Sequence, residues 1–349
     1  MGFAIPAEPQ SAPARKAVTR IVLDVSDGEA AASDFAWSPD GRHVSVLSRL
    51  LRKISVFDVA AGHLIGRLED LAGGAASVAF DAGGNVVCGP ADGPAYAATI
   101  WDYRRGARRS LPGPDGSATD SSGNKLLEFA VDRQSNRLLG VYQLPSGSAE
   151  RVALALYDLN TGQLLKVGGP AAMHVSLAPG GQRAAFRGRS GILQIFDLEK
   201  GAAVASIAAH AGGVDATAWS SDGLLVATGG QARAMLRDPE SIIPKVVADP
   251  FTLKLWEAKT GTLRGKAELP EHVSMLAFSP KGPTLAASDA FGTVHLLSAS
   301  NPERAIARIP VETSQTVVAR ISPDGQRIGR LLTAASQLEI SDAALFERR

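Results

Sequence analysis

The side chains that could carry chemistry are present in this chain but not gathered. Its six histidines, His43, His63, His174, His210, His272 and His295, fall one to a segment, and no two of them stand at metal-pair spacing. One cysteine, Cys88, excludes an internal disulfide and any cysteine-based zinc cluster, which leaves a small buried hydrophobe as its reading. There is no Gly-x-Ser-x-Gly elbow, no Walker phosphate loop and no His-Glu-x-x-His. Asp40, Asp222 and Asp324 precede glycine in turn motifs, where an aspartate bonds its own backbone. Asp34, Glu128 and Asp215 are the carboxylates left over. No polar position recurs from segment to segment to build a ring of about six oxygens for calcium. No catalytic set, no cofactor and no metal are therefore expected.

Bulk properties narrow the partners. Thirty-six basic residues against 35 acidic ones give a formal charge of +1, so no whole-molecule field draws the chain to nucleic acid or anionic lipid. No stretch reaches the roughly 18 consecutive apolar residues that cross a bilayer as a helix. Residues 1–18 are rich in Ala and Pro and read as a disordered arm. A cytoplasmic setting fits the single cysteine; a periplasmic one follows if a signal segment has been removed.

The elements that must position everything else come from a repeat. A turn of the form apolar-Ser-Pro-Asp-Gly recurs as WSPDG at Trp37, FDAGG at Phe80, VDRQSN at Val131, LAPGG at Leu177, WSSDG at Trp219, FSPKG at Phe278 and ISPDG at Ile321, at intervals of 43, 51, 46, 42, 59 and 43. Each copy joins two short apolar strands, and Asp-Gly or its relatives supply the positive φ of a tight hairpin. A third strand then ends in an aromatic-acidic pair at Phe57-Asp58, Trp101-Asp102, Tyr157-Asp158, Phe196-Asp197 and Trp256-Glu257, followed by a polar turn and a fourth strand. Units six and seven degrade to HLLS and LEISD at this position. Four strands per unit of roughly 40 to 45 residues is the pattern of an all-β, seven-bladed propeller spanning 19–349.

These motifs resemble the WD40-repeat family, and the resemblance runs from Thr19 to Leu345; the Ala-, Gly- and Arg-rich composition is bacterial in character. The unit from His210 to Gly265 lies nearest the family pattern, and its structural hydrogen-bond network maps onto His210, Thr228 and Trp256. The aspartate that completes the network in the family is displaced by an insertion, with Asp249 a doubtful substitute. Blade seven lacks a fourth strand of its own, and the resemblance implies that Thr19 to Val25 pairs with it to close the ring.

The resemblance also implies a non-catalytic scaffold that binds one or more proteins, as a monomer or as a subunit of a hetero-complex. The turns above share one face; the loops joining second to third strands share the other and vary, and variable loops on a fixed scaffold are where binding resides. Two stand out. Arg49, Leu50, Leu51 and Arg52 set two leucines among cations in blade one. The insertion 231–250 in blade five carries Arg233, Met235, Leu236, Arg237, Ile242, Ile243 and Lys245, with its ARAMLRD portion able to form a helical turn before Pro239. Arg187 and Arg189 extend its cations into a basic strip that an acidic protein, rather than nucleic acid, matches. Two other propeller types stay open: an enzyme of the lactonase or sugar-dehydrogenase kind working in the central channel through Asp34, Asp215 and Glu128, and a periplasmic propeller of the TolB kind.

Overall fold

The computed structural model describes residues 19–22, 32–48, 52–69, 75, 77–89, 98–116, 124–145, 151–169, 173–187, 191–230, 233–236, 245–248, 250, 252–310, 316–332 and 337–342. The arm 1–18 expected from composition lies outside them.

Seven four-stranded antiparallel sheets form the blades of a propeller. Blade one is Asp34–Trp37, His43–Ser48, Lys53–Asp58 and Leu64–Leu68; blade two is Ser77–Phe80, Val86–Gly89, Thr99–Asp102 and Ala107–Ser110. Blade three is Lys125–Asp132, Arg137–Gln143, Val152–Asp158 and Leu164–Val167; blade four is Met173–Leu177, Arg183–Arg187, Ile192–Asp197 and Ala202–Ala208. Blade five is Val214–Trp219, Leu225–Gly230, Leu253–Glu257 and Leu263–Ala267; blade six is Val273–Phe278, Thr284–Asp289, Val294–Ser298 and Asn301–Ile309. Blade seven takes Thr316–Ile321, Arg327–Leu332 and Gln337–Asp342, and its outermost strand is Thr19–Val22, antiparallel to the last of these with Thr19 opposite Ile340 and Val22 opposite Gln337. The ring therefore closes as expected; residues 23–25 of the expected strand are outside the described set.

The repeated turn works by local chemistry. In blade one the Ser38 hydroxyl donates to Asp40 Oδ1 (2.6 Å) and accepts from His43 N (2.9 Å), Asp40 Oδ1 accepts from Arg42 N (3.0 Å), and Gly41 takes φ +67°. Blade five repeats this at Ser220, Asp222 and Gly223, where the hydrogen bond from Ser220 holds the Asp222 carboxyl below its ordinary range. The acid that ends the third strand in blades three and four has the same use: Asp158 Oδ1 accepts from Asn160 N (2.7 Å) and Thr161 N (3.1 Å), and Asp197 Oδ1 accepts from Glu199 N (3.0 Å) and Lys200 N (2.9 Å). These carboxylates are turn caps.

Packing is between blades. Seven hydrophobic clusters each join two neighbours: Phe35, Trp37 and Phe57 of blade one meet Leu331, Leu338 and Ile340 of blade seven, and Trp101 and Tyr103 of blade two meet Val56 and Leu68 of blade one. Trp219 and Trp256 of blade five meet Ile195 and Ile207 of blade four. A blade alone would leave both faces wet, so each is stable only between neighbours. Among the described residues no helix is long and apolar enough to cross a membrane.

One local expectation fails. The ARAMLRD segment contains a strand, Arg233–Leu236, which pairs antiparallel with Lys245–Ala248 as a separate two-stranded hairpin, Met235 opposite Val246. A helix of two turns is marginal in water, whereas pairing with a β-branched Val246-Val247 strand satisfies the backbone of both segments.

Candidate functional site

In blade five the third and second strands place Trp256 beside Val226 and Lys254 beside Thr228, which brings the Trp256 indole over the Thr228 hydroxyl. Trp256 Nε1 donates to Thr228 Oγ1 (2.8 Å), and His210 Nε2 lies 2.9 Å from the same oxygen, with Thr228 fully buried. His210 and Trp256 thus meet on the one Thr228 hydroxyl; Asp249 is outside the described residues. His210 is held in turn by backbone: Ala209 N and His210 N both donate to Gly191 O (2.9 and 3.3 Å). Thr228→Val removes the shared hydroxyl and strands a buried indole N–H, so a loss of about 2–4 kcal/mol is expected. Chemical denaturation checks it, and a loss under about 0.5 kcal/mol would show that the network does not bear on stability.

Blade six has a comparable buried pair that the sequence reading did not pick out. Asp289 Oδ2 lies 2.9 Å from His295 Nε2, while Asp289 Oδ1 accepts from Phe291 N (3.0 Å) and Thr293 N (2.9 Å). Asp289 and His295 are almost fully buried, yet Phe291 at the tip of this loop is 61% exposed. Gly292 follows it with φ +83°. The only sequence signal was an acid six residues before a histidine across a Gly-containing turn, a separation that reads as nothing until the two strands pair.

The loop that presents Phe291 joins the second and third strands of blade six, and the hairpin Arg233–Leu236/Lys245–Ala248 occupies the same position in blade five. Both therefore open on the face opposite the repeated turns. Of the residues expected to bind partners, Arg233, Met235, Leu236 and Lys245 lie in this hairpin, whereas Arg237, Ile242 and Ile243 are outside the described residues. In blade one Arg52 is exposed, at φ +52°, in the turn leading from Ser48 to its partner Lys53; Arg49, Leu50 and Leu51 are outside the described residues.

The inner strands reach that face through a shared irregularity. A bulge interrupts pairing between Leu126/Glu128, Met173/Val175, Val214/Ala216, Val273/Met275 and Thr316/Val318, near the start of the innermost strand in five successive blades. Bulges re-aim side chains. Here His174 takes φ +59°, stands exposed and approaches Glu128 (Nδ1 to Oε2, 3.6 Å), whose Oε1 accepts from Val175 N (2.9 Å).

Arg187 departs from the basic strip expected of it. It is half-buried, donates to Val214 O (3.4 Å) and feels the carboxylates Glu128 and Asp215, while burial pulls its pKa down. Arg189 is outside the described residues. Asp34 is buried on blade one and accepts from Arg320 Nη2 (2.9 Å), Ser77 Oγ (2.9 Å) and Val78 N (3.2 Å). Asp34, Glu128 and Asp215 are thus separate, each on its own blade and each engaged within the protein.

A second basic feature went unnoticed in the sequence, at YRRGARRS. Arg104, Arg105, Arg108 and Arg109 line a cavity of about 550 Å³ on the rim of blade two. Arg104 stacks over Tyr103 (4.6 Å) and donates to Gly84 O, Arg105 faces Asp102 (3.6 Å), and Arg109 donates to Leu159 O. Cations along an exposed outer strand are what keeps such an edge from pairing with other chains.

Comparison with known proteins agrees with this architecture. A family model described as WD domain, G-beta repeat matches residues 201–235. The match ends inside the blade-five hairpin, where the insertion separates Thr228 from the third strand that carries Trp256. A chain of a structure described as "Crystal Structure of Mitotic Checkpoint Complex" superposes with a TM-score of 0.66 at 18% identity, covering 97% of each chain. At that identity the likeness is one of fold. No curated protein matches by sequence.

Proposed function

Because the chain is a seven-bladed β-propeller of the WD40-repeat type, we propose that it acts as a non-catalytic protein-interaction scaffold, engaging its partner through the face opposite the repeated turns. The observation that carries this reading is Phe291. An aromatic ring that is 61% exposed, on a loop tied down by a buried Asp289–His295 pair, loses little entropy on binding and offers a large apolar area. The hairpin of blade five stands on the neighbouring blade of the same face. In sequence this stretch carries the cations Arg233, Arg237 and Lys245, which would suit an acidic partner surface, and the apolar residues Met235, Leu236, Ile242 and Ile243. Arg52 stands on this face in blade one, and Arg49, Leu50 and Leu51 precede it in the sequence. The fold's likeness to a chain from a multiprotein assembly is compatible with such a role and names no partner.

The test is capture of partners from extract of the source cells with the parent protein, Phe291→Ala, and a variant in which residues 233–248 are replaced by a short Gly-Ser link. Each variant is expected to lose at least about tenfold in recovered partner, near 1.4 kcal/mol, with a melting temperature within about 2 °C of the parent. Undiminished recovery by both would sink the reading.

A further inference from the structure

The opposite mouth of the central channel holds a different kind of site. On the turn face the inner strands enclose a cavity of about 670 Å³, lined among others by Ser77, Asp132, Arg133, Ser176, Ser279 and Arg320. Two guanidinium groups reach it from different blades. Arg133 sits in the repeated turn of blade three and donates Nη1 to Trp37 O of blade one (3.2 Å), so it stretches across the channel. Arg320, on the inner strand of blade seven, donates Nη2 to Asp34 Oδ1 (2.9 Å), and its buried Nε has no acceptor.

Two carboxylates, Asp34 and Asp132, stand beside these two cations, and both are engaged by other donors. Asp34 is committed to Arg320, Ser77 and Val78. Asp132 accepts from Gln134 N (3.1 Å), Ser135 N and Oγ (2.9 and 2.5 Å) and Gly180 N (2.9 Å), so its oxygens are occupied by the turn while its charge still acts on Arg133. Among the described residues Arg133 forms no close ion pair, and Asp132 acts on it only at longer range. Partial burial and the nearby Arg320 push its pKa down, against the opposing pull of Asp132. A half-buried guanidinium bonded to one carbonyl keeps other donors for a ligand, and fork-shaped donors match the oxygens of a phosphate.

We infer that this channel mouth binds a small molecule carrying a phosphate group, held between Arg133 and Arg320. The cavity has the size of a small-ligand pocket and is closed in by six blades, which excludes a folded partner. It opens on the face away from Phe291, so ligand and partner can be held together.

Glycerol 3-phosphate is the probe, titrated calorimetrically into the full chain, with acetate as the comparison. Binding with a Kd below about 1 mM is expected, with acetate at least about tenfold weaker. Arg133→Met and Arg320→Met are each expected to weaken it by about tenfold or more. Without ligand, Arg133→Met should melt no lower than the parent, because it removes a half-buried cation that forms no close ion pair and sits beside Arg320. Absence of heat at about 10 mM probe, or unchanged affinity in both variants, overturns the assignment. So does a lower melting temperature of Arg133→Met in a protein whose parent binds nothing, which would make Arg133 a strut between blades. Phe291→Ala should bind the probe as the parent does, which separates a failure here from a failure of the partner face.

Discussion

Gly191→Ala is expected to lose about 4 kcal/mol or more, the largest effect of any single substitution considered for this protein. Gly191 has φ +74°, which costs a residue with a Cβ about 1 kcal/mol, and a Cβ there would stand 1.8 Å from the carbonyl oxygen of His210. Neither side can yield cheaply. Gly191 O is the acceptor for Ala209 N and His210 N, and His210 O accepts from Gly213 N (3.3 Å), so relief requires breaking backbone bonds on one side or the other. The displaced residue would be His210, and with it the hydroxyl of Thr228 and the indole of Trp256. Gly62→Ala is the control: φ is +68° there but nothing lies within 4 Å of the added Cβ, so about 1 kcal/mol is expected. Equal denaturation midpoints for the two variants would show that the contact with His210 does not constrain the fold.

Removal of residues 1–22 is expected to lower the melting temperature by about 10 °C or more and to produce soluble oligomers. The strand Thr19–Val22 is the outermost of blade seven, and without it the backbone of Gln337–Asp342 becomes an open edge. That strand carries Leu338 and Ile340, both almost fully buried against blade one, so fraying at the edge reaches a cluster shared by two blades. Lost ladder hydrogen bonds at about 0.5–1.5 kcal/mol each, plus part of that cluster, give roughly 3–6 kcal/mol. At about 2–4 °C per kcal/mol this yields the stated shift. Removal of residues 1–18 alone should leave the melting curve in place. Size-exclusion chromatography and calorimetry settle it: a monomer melting within about 2 °C of the parent after the longer deletion would mean that the ring does not need its closing strand.

What could be read from the sequence follows a physical rule. Trp37, Phe80, Val131, Leu177, Trp219, Phe278 and Ile321 lie at or next to the end of an innermost strand, and Asp58, Asp102, Asp158, Asp197 and Glu257 end third strands. These positions were legible because the same local device, a hydroxyl or carboxylate folded onto its own turn, is repeated blade after blade. Blades six and seven have lost the aromatic of that pair, yet their strands form at the expected places because the neighbours on either side require a face to bury.

The functional surface was less legible because its determinants lie far apart in sequence. Asp289 and His295 meet only once two strands pair, and an isolated phenylalanine such as Phe291 leaves no periodic trace. Arg187 counted as a surface cation until Glu128 of the preceding blade and Asp215 of the following one were seen to draw it inward. Arg133 finds Trp37 O across the channel, 96 positions away. The insertion was legible as an insertion and misread in form: its apolar content and prolines were visible, whereas pairing of 233–236 with 245–248 was not, since neither strand is long enough to announce itself.

Closure of the ring by Thr19–Val22 also sets an order in time. Its pairing partner begins at Gln337, so during synthesis the first strand made must wait for roughly 300 residues, about 15 to 60 s at typical elongation rates, before its place in the sheet exists. Through that interval the nascent chain carries an unpaired Thr19–Val22 strand ahead of a growing, open-edged row of blades. Ribosome pausing while residues 316–342 are being made, or scarcity of chaperones that shield lone strands, should therefore reduce the yield of folded protein more than equal stress during the preceding blades.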